Sequence, residues 1–86
     1  MNGTPVFLPV IEVAPSQRGE GLAMTLLWDG GDRALAVGFF DGQEVAAEIS
    51  PARLLADLYD LQEQACEGRL QVVYRSEELI GRLEAR

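Results

Sequence analysis

The chain has 86 residues, with 14 acids against 7 bases, all arginine, and neither lysine nor histidine. A formal net charge of -7 opposes unspecific binding to nucleic acid and to anionic membranes, because nothing offsets repulsion by phosphate. The missing residues exclude a histidine base, a Schiff-base or phosphate-loop lysine and, with one cysteine, an ordinary zinc site.

One globular domain is expected over residues 1–86, since hydrophobic content of 48% is too high for disorder. The all-arginine bases are read as codon bias in a GC-rich genome, and a bacterial source is expected. A lone cysteine forms no internal disulfide and fits a reducing, cytoplasmic setting. The early apolar stretch Val6 to Val13 is short and broken by Pro9 and Glu12. Neither a signal peptide nor a membrane span is expected from it.

Residues 1–5 are a polar lead. Val6 to Val13 reads as a strand covered on both faces, with Pro9 placing it at a sheet edge or bending it. Residues 14–21 (APSQRGEG) read as a loop. Leu22 to Trp28 is the second strand, and Asp29-Gly30-Gly31-Asp32 turns it back. With the two glycines central, Trp28 pairs with Arg33, Leu26 with Leu35 and Met24 with Val37. Trp28 and Arg33 are then placed to stack.

Residues 33–39 alternate, with Leu35, Val37 and Phe39 on one face. Residues 43–49 carry Val45, Ala47 and Ile49 on one face and Glu44, Ala46 and Glu48 on the other. A two-residue loop at Asp41-Gly42 sets the apolar row of the third strand beside the two glutamates. A three-residue loop, Phe40 to Gly42, opposes Phe39 to Gln43, Val37 to Val45 and Leu35 to Ala47. Burial favours this second register, because a one-residue slip turns a whole strand over. Gly42 then takes the left-handed position of the turn.

Ser50 is a good N-cap, Pro51 suits the first helical position and Gly68 is a good stop. Between them Leu54, Leu58, Leu61 and Ala65 form a helical stripe, expected to pack on the Leu35/Val37/Phe39/Val45 face. Burial of three leucines is worth roughly 1.5–3 kcal/mol each. Arg69 to Tyr74 reads as a fifth strand. Ser76 caps a last short helix over residues 77–85, with Leu79, Ile80 and Leu83 on its apolar side and Gly81 weakening it by ~1 kcal/mol. The fold class is α+β: an antiparallel meander of about four strands backed by one amphipathic helix, followed by a short strand and a short C-terminal helix. There is no internal repeat and no low-complexity tract.

No residue is assigned a catalytic, cofactor-binding or metal-binding role. Cys66 lies near a helix C-terminus, where the dipole disfavours a thiolate, and beside the leucine stripe; a packing role is expected. Asp29 and Asp32 fit turn chemistry better than acid–base work or a loose calcium contact. Gly19-Glu20-Gly21 and Gly30-Gly31 lack the spacing and the lysine of phosphate cradles. The acidic helix face of Asp57, Asp60, Glu63 and Glu67 is a candidate for a basic partner, although solvated helices carry such rows routinely.

One face of the predicted meander carries Ala23, Thr25, Leu27, Ala34, Ala36, Gly38 and Ala46, with only Glu44 and Glu48 charged. That is too few polar residues for a solvated face. Either the terminal segments or a second subunit must cover it, and these residues are the candidate interface. The function expected is therefore non-catalytic. A small regulator, adaptor, inhibitor or immunity-type protein binds another protein and forms a homodimer, without nucleic acid, membrane or cofactor. Two alternatives stand beside it. One is a minimal enzyme or small-ligand protein using carboxylates and arginines such as Arg33 or Arg75. The other is an acidic mimic of nucleic acid.

Overall fold

The computed structural model describes residues 6–15, 23–40 and 42–86. The polar lead, most of the loop expected over 14–21, Leu22 and Asp41 lie outside the described residues. The elements are β1 (Leu8–Pro15), β2 (Met24–Trp28), β3 (Ala34–Phe40), β4 (Gln43–Ile49), α1 (Pro51–Cys66), β5 (Leu70–Tyr74) and α2 (Glu77–Glu84). The five strands form one antiparallel sheet in the order β4-β3-β2-β1-β5. The fold is α+β, with two helices on the sheet.

β1 is an inner strand rather than an edge, because β5 returns to pair with it over Ile11 to Pro15. Pro9 acts instead by bending. The register against β2 shifts between Pro9 and Ile11, so Val10 is the extra residue of a bulge. The Val10 carbonyl accepts from the backbone N–H of Arg75 at 2.9 Å, which closes the β1–β5 ladder where α2 begins.

The turns decide which side of each strand is buried. The Asp29 N–H donates to the Arg33 carbonyl at 3.1 Å. Asp29 Oδ1 accepts from the N–H of Gly31 at 2.7 Å and of Arg33 at 3.2 Å. Held this way, the turn is one residue longer than a Gly30-Gly31 hairpin, and Trp28 pairs with Ala34 instead of Arg33. At the other end Phe40 pairs with Gln43, so the β3–β4 loop is one residue shorter than expected. Gly42 has φ 76, the left-handed conformation such a turn requires.

The two differences have opposite sense. They cancel beyond β3, so β2 and β4 keep their expected faces and β3 alone is turned over. Ala34, Ala36 and Gly38 share a face with Met24, Leu26 and Trp28, while Leu35, Val37 and Phe39 share the other with Thr25 and Leu27. The expected packing of α1 on Leu35, Val37, Phe39 and Val45 is overturned: Phe39 is 57% and Val45 54% exposed. Packing explains the choice. Leu26, Trp28, Leu54 and Leu58 are all fully buried or within 1% of it. Small side chains on β3 let α1 sit close enough to touch them, whereas a Leu-Val-Phe row would hold it off.

α1 begins where the sequence places it. Ser50 has extended φ/ψ of -78 and 157, and its hydroxyl accepts from the Arg53 N–H at 3.1 Å. It ends in a paired cap: Gly68 N–H donates to Ala65 at 3.0 Å and Arg69 N–H to Gln64 at 3.1 Å, with Gly68 at φ 79. Leu54, Leu58 and Leu61 are buried. α2 starts on Ser76, whose hydroxyl accepts from the Leu79 N–H at 3.2 Å, and it adds Leu79 and Leu83 to the same core.

Candidate functional site

Both helices contribute to one core on one side of the sheet. The other side is the face of Thr25, Leu27, Leu35, Val37 and Phe39, continued by Ala46 on β4 and by Glu12 and Val73 on β1 and β5. Among the described residues no second layer lies over it. Leu27, Leu35 and Val37 are half-buried, and Phe39 and Val73 are exposed.

The charged groups of this face are mostly paired, with Glu12 on the inner strand β1 and the others toward the ends and edges of the sheet. Arg33 donates to Glu48 Oε1 at 2.5 Å, and its guanidinium also lies 5.7 Å from the centre of the Phe7 ring. The hydrogen bond from Arg33 holds the Glu48 carboxyl below the usual carboxylate range, and the Arg33 pKa is raised in return. Arg75 donates to Glu12, which raises the Arg75 pKa through that hydrogen bond and the carboxylate charge. Glu44, opposite Phe39, has no ion pair among the described residues.

The seven residues read from the sequence as one interface are divided by the register. Thr25, Leu27 and Ala46 lie on the uncovered face, and the alternation of β2 places Ala23 with them. Ala34, Ala36 and Gly38 lie on the helix side of the sheet, with Ala34 fully buried. Within the chain no other backbone packs closely on Gly38 among the described residues. A Cβ there meets only the Ala23 carbonyl, at 3.5 Å. The residues that alternation alone missed are Leu35, Val37 and Phe39. The mixed apolar and charged row that a two-residue Asp41-Gly42 loop implies was the available signal.

Other candidates also find their places. Trp28 is not stacked on Arg33, which points to the opposite face. Arg82 and Arg86 cover the indole instead, at 5.7 and 5.9 Å from the ring centre. Cys66 does not pack as expected; it is exposed, because the stripe through Leu54, Leu58 and Leu61 passes to the side of it. Asp29 is occupied by its own turn, and the Asp32 side chain is 98% exposed with Arg86 at 3.9 Å. On α1, Asp57 is paired with Arg53 at 3.0 Å, Asp60 accepts from Gln64 at 2.8 Å and Glu67 lies 3.2 Å from Arg69. Glu63 is exposed.

Three clefts among the described residues are open grooves beside the helices. One of about 310 Å³ is lined by Pro9, Arg75, Glu78 and Arg82, and one of about 390 Å³ by Pro51, Leu55, Leu83 and Arg86. A third, about 270 Å³, lies between Met24 and the Arg53, Asp57 and Asp60 side of α1. Arg75 lines the first of these, and Arg33 lines none of the three. No protein-family model, curated protein or solved structure matches this chain.

Proposed function

We propose that this chain is a small non-catalytic binding module that works as a homodimer, joined through the uncovered face of its sheet. The observation that carries this reading is the outward row of Leu35, Val37 and Phe39, with Leu27 beside it and no second layer over it among the described residues. An apolar surface of this kind, rimmed by polar groups, marks an interaction site.

Two further arguments favour a second copy as the occupant. Five strands ~4.8 Å apart and about six residues rising ~3.3 Å each span roughly 20 by 20 Å. That ~400 Å² in projection is about half the ~800 Å² per partner of a standard interface and suits a small one. Charge points the same way. Among the described residues the face carries Glu12, Glu44 and Glu48 against Arg33 and Arg75, a net of one negative charge against the chain's seven. Two copies can meet on this face with little repulsion, and two-fold pairing buries the same patch on each. We place the protein in a reducing compartment, the cytoplasm, which suits its free and exposed Cys66. Among the described residues no helix is long and apolar enough to cross a membrane.

Light scattering at micromolar concentration tests the reading. The expected mass is twice 9.4 kDa. Val37→Arg, and separately Thr25→Arg, should return it to the monomer while far-UV circular dichroism stays native. A wild-type mass of one chain at the highest soluble concentration overturns the proposal.

A further inference from the structure

A second copy seated on Val37 cannot avoid a charge. The register places Ala46, Val37, Thr25, Glu12 and Val73 in one row that crosses the uncovered face from β4 to β5. Glu12 is the one charged member of these five. It lies one strand spacing, about 4.8 Å, from Thr25 and two from Val37. A surface laid over the apolar row therefore reaches Glu12 and takes its side chain, already only 36% exposed, out of water.

An ionised carboxylate is costly to desolvate unless it is paired. Arg75, the residue after β5, supplies the partner, and its Nε donates to Glu12. The guanidinium keeps its proton at any ordinary pH, whereas the carboxylate can gain one. A protonated Glu12 thus leaves Arg75 as an unpaired cation at the interface. The surrounding groups do not compensate. Thr25 and Val73 flank Glu12 on β2 and β5. Glu78 and Arg82 of α2 line the groove that Arg75 also lines, and their charges cancel. Elsewhere on the face, among the described residues, Glu48 is held by Arg33 and Glu44 lies opposite Phe39. With all three carboxylates protonated, that face passes from one net negative charge to two positive. Two copies then bring four guanidiniums together.

On the basis of the dimer proposed above, we infer that the Glu12–Arg75 pair is a pH-sensitive latch: the two copies hold together while Glu12 is ionised and part when acid protonates it. Such a latch has a signature. Removing one member of a desolvated pair leaves the other buried and unpaired, whereas replacing both by neutral groups costs little. A pair merely solvated at the surface shows neither effect.

The test measures the dimer dissociation constant of the whole chain by analytical ultracentrifugation at pH 7 and pH 4. Near-UV circular dichroism of Trp28 reports whether the fold is kept. The wild-type constant should rise about tenfold or more at pH 4. At pH 7, Glu12→Gln and Arg75→Gln should each weaken the dimer by a similar factor. The double variant should return to within about threefold of wild type and lose more than half of the pH response. The pH arm needs no substitution and the variants need no acid, so neither misfolding nor acid unfolding decides the outcome alone. A wild-type dimer of equal strength at both pH values overturns the inference, as does a Glu12→Gln dimer as tight as wild type. A double variant no tighter than the single ones overturns it too, because the two side chains would then act separately. A single-chain mass for wild type at pH 7 is a different result: it overturns the dimer itself, and the latch with it.

Discussion

Leu35 stands across from Glu48 on the uncovered face of the sheet, and Glu48 reaches past it to Arg33. The pairing makes the apolar face tolerable at its margin: the carboxylate is held by a partner one position beyond the leucine. It also makes stability depend on pH. The hydrogen bond from Arg33 lowers the Glu48 pKa in the folded chain from its ordinary value of 4.5. A lowered carboxylate pKa stabilises the fold fully above the ordinary value and loses that contribution as pH falls through the folded value. Glu48→Gln should therefore flatten the fall in melting temperature between pH 6 and pH 3. The effect should be small and erased by molar salt, since the two side chains are 47% and 51% exposed. Identical pH profiles for the two proteins would remove the assignment.

The turned-over strand predicts an order of mutational effects. Ala34 is fully buried beneath α1, so Ala34→Leu should overpack the core and destabilise by ~1–3 kcal/mol. Leu35→Ala, one residue away on the half-buried face, should lose less than the ~2–5 kcal/mol of a core leucine. Urea unfolding of both variants at low protein concentration checks this. The reverse order would put Leu35 under the helix.

Much of the architecture was legible because its signals are local. Ser50, Pro51 and Gly68 bound α1 through their own backbone preferences, and the leucine spacing marks its inner face. The faces of β2 and β4 were legible for the same reason. β3 was not. Both of its sides are apolar, Leu-Val-Phe and Ala-Ala-Gly, so alternation could not say which one faces in. The decision passed to turn lengths, and the Asp29 carboxylate shifted one of them by taking two backbone N–H groups. The small-residue signal mixed two faces: Ala34 is fully buried on the helix side, while Thr25 and Ala46 lie on the other. The large residues opposite, read as core, form the candidate interface instead.

Gly42 isolates a backbone effect. Its φ is 76, and a Cβ added there meets nothing within 4 Å. Any loss on substitution must come from the left-handed conformation, not from a clash. Gly42→Val should destabilise by ~1 kcal/mol or more, and Gly42→Asn by clearly less, because asparagine tolerates that region. Equal thermal midpoints for all three proteins would contradict the turn.

Cys66 should react with a thiol reagent in the native state at a rate close to that in denaturant, since it is exposed at the end of α1. Cys66→Ser should change stability by no more than ~0.5 kcal/mol, as surface substitutions do. Labelling that requires unfolding would show that this helix end is covered, by the chain itself or by its second copy. Repeating the measurement on the Val37→Arg monomer separates those two.

Trp28 is where the last helix is fastened. The indole is 1% exposed, and its Nε1 donates to the Gly31 carbonyl at 3.0 Å. Arg82 and Arg86 lie over the ring, and Arg86 also donates to the Gly31 carbonyl, so the end of α2 is clamped to the β2–β3 turn. α2 has eight residues with Gly81 inside it, too short to hold a helix alone. Its order must come from Leu79, Leu83 and this clamp. Each arginine over an aromatic ring contributes ~0.5–1 kcal/mol at an exposed site, so Arg82→Ala and Arg86→Ala should each destabilise by about that much. They share one ring, and their effects should not add. Leu83→Ala removes a core side chain and should cost ~2–5 kcal/mol. The distinguishing measurement is hydrogen exchange. If the arginines fasten α2, the double variant should lose protection over residues 77–84 while β2 and β3 keep theirs, because the helix opens without the sheet. A uniform loss across the chain would mean that the arginines stabilise the whole fold rather than the docking of α2. Unchanged exchange over 77–84 would mean that the leucines hold the helix unaided.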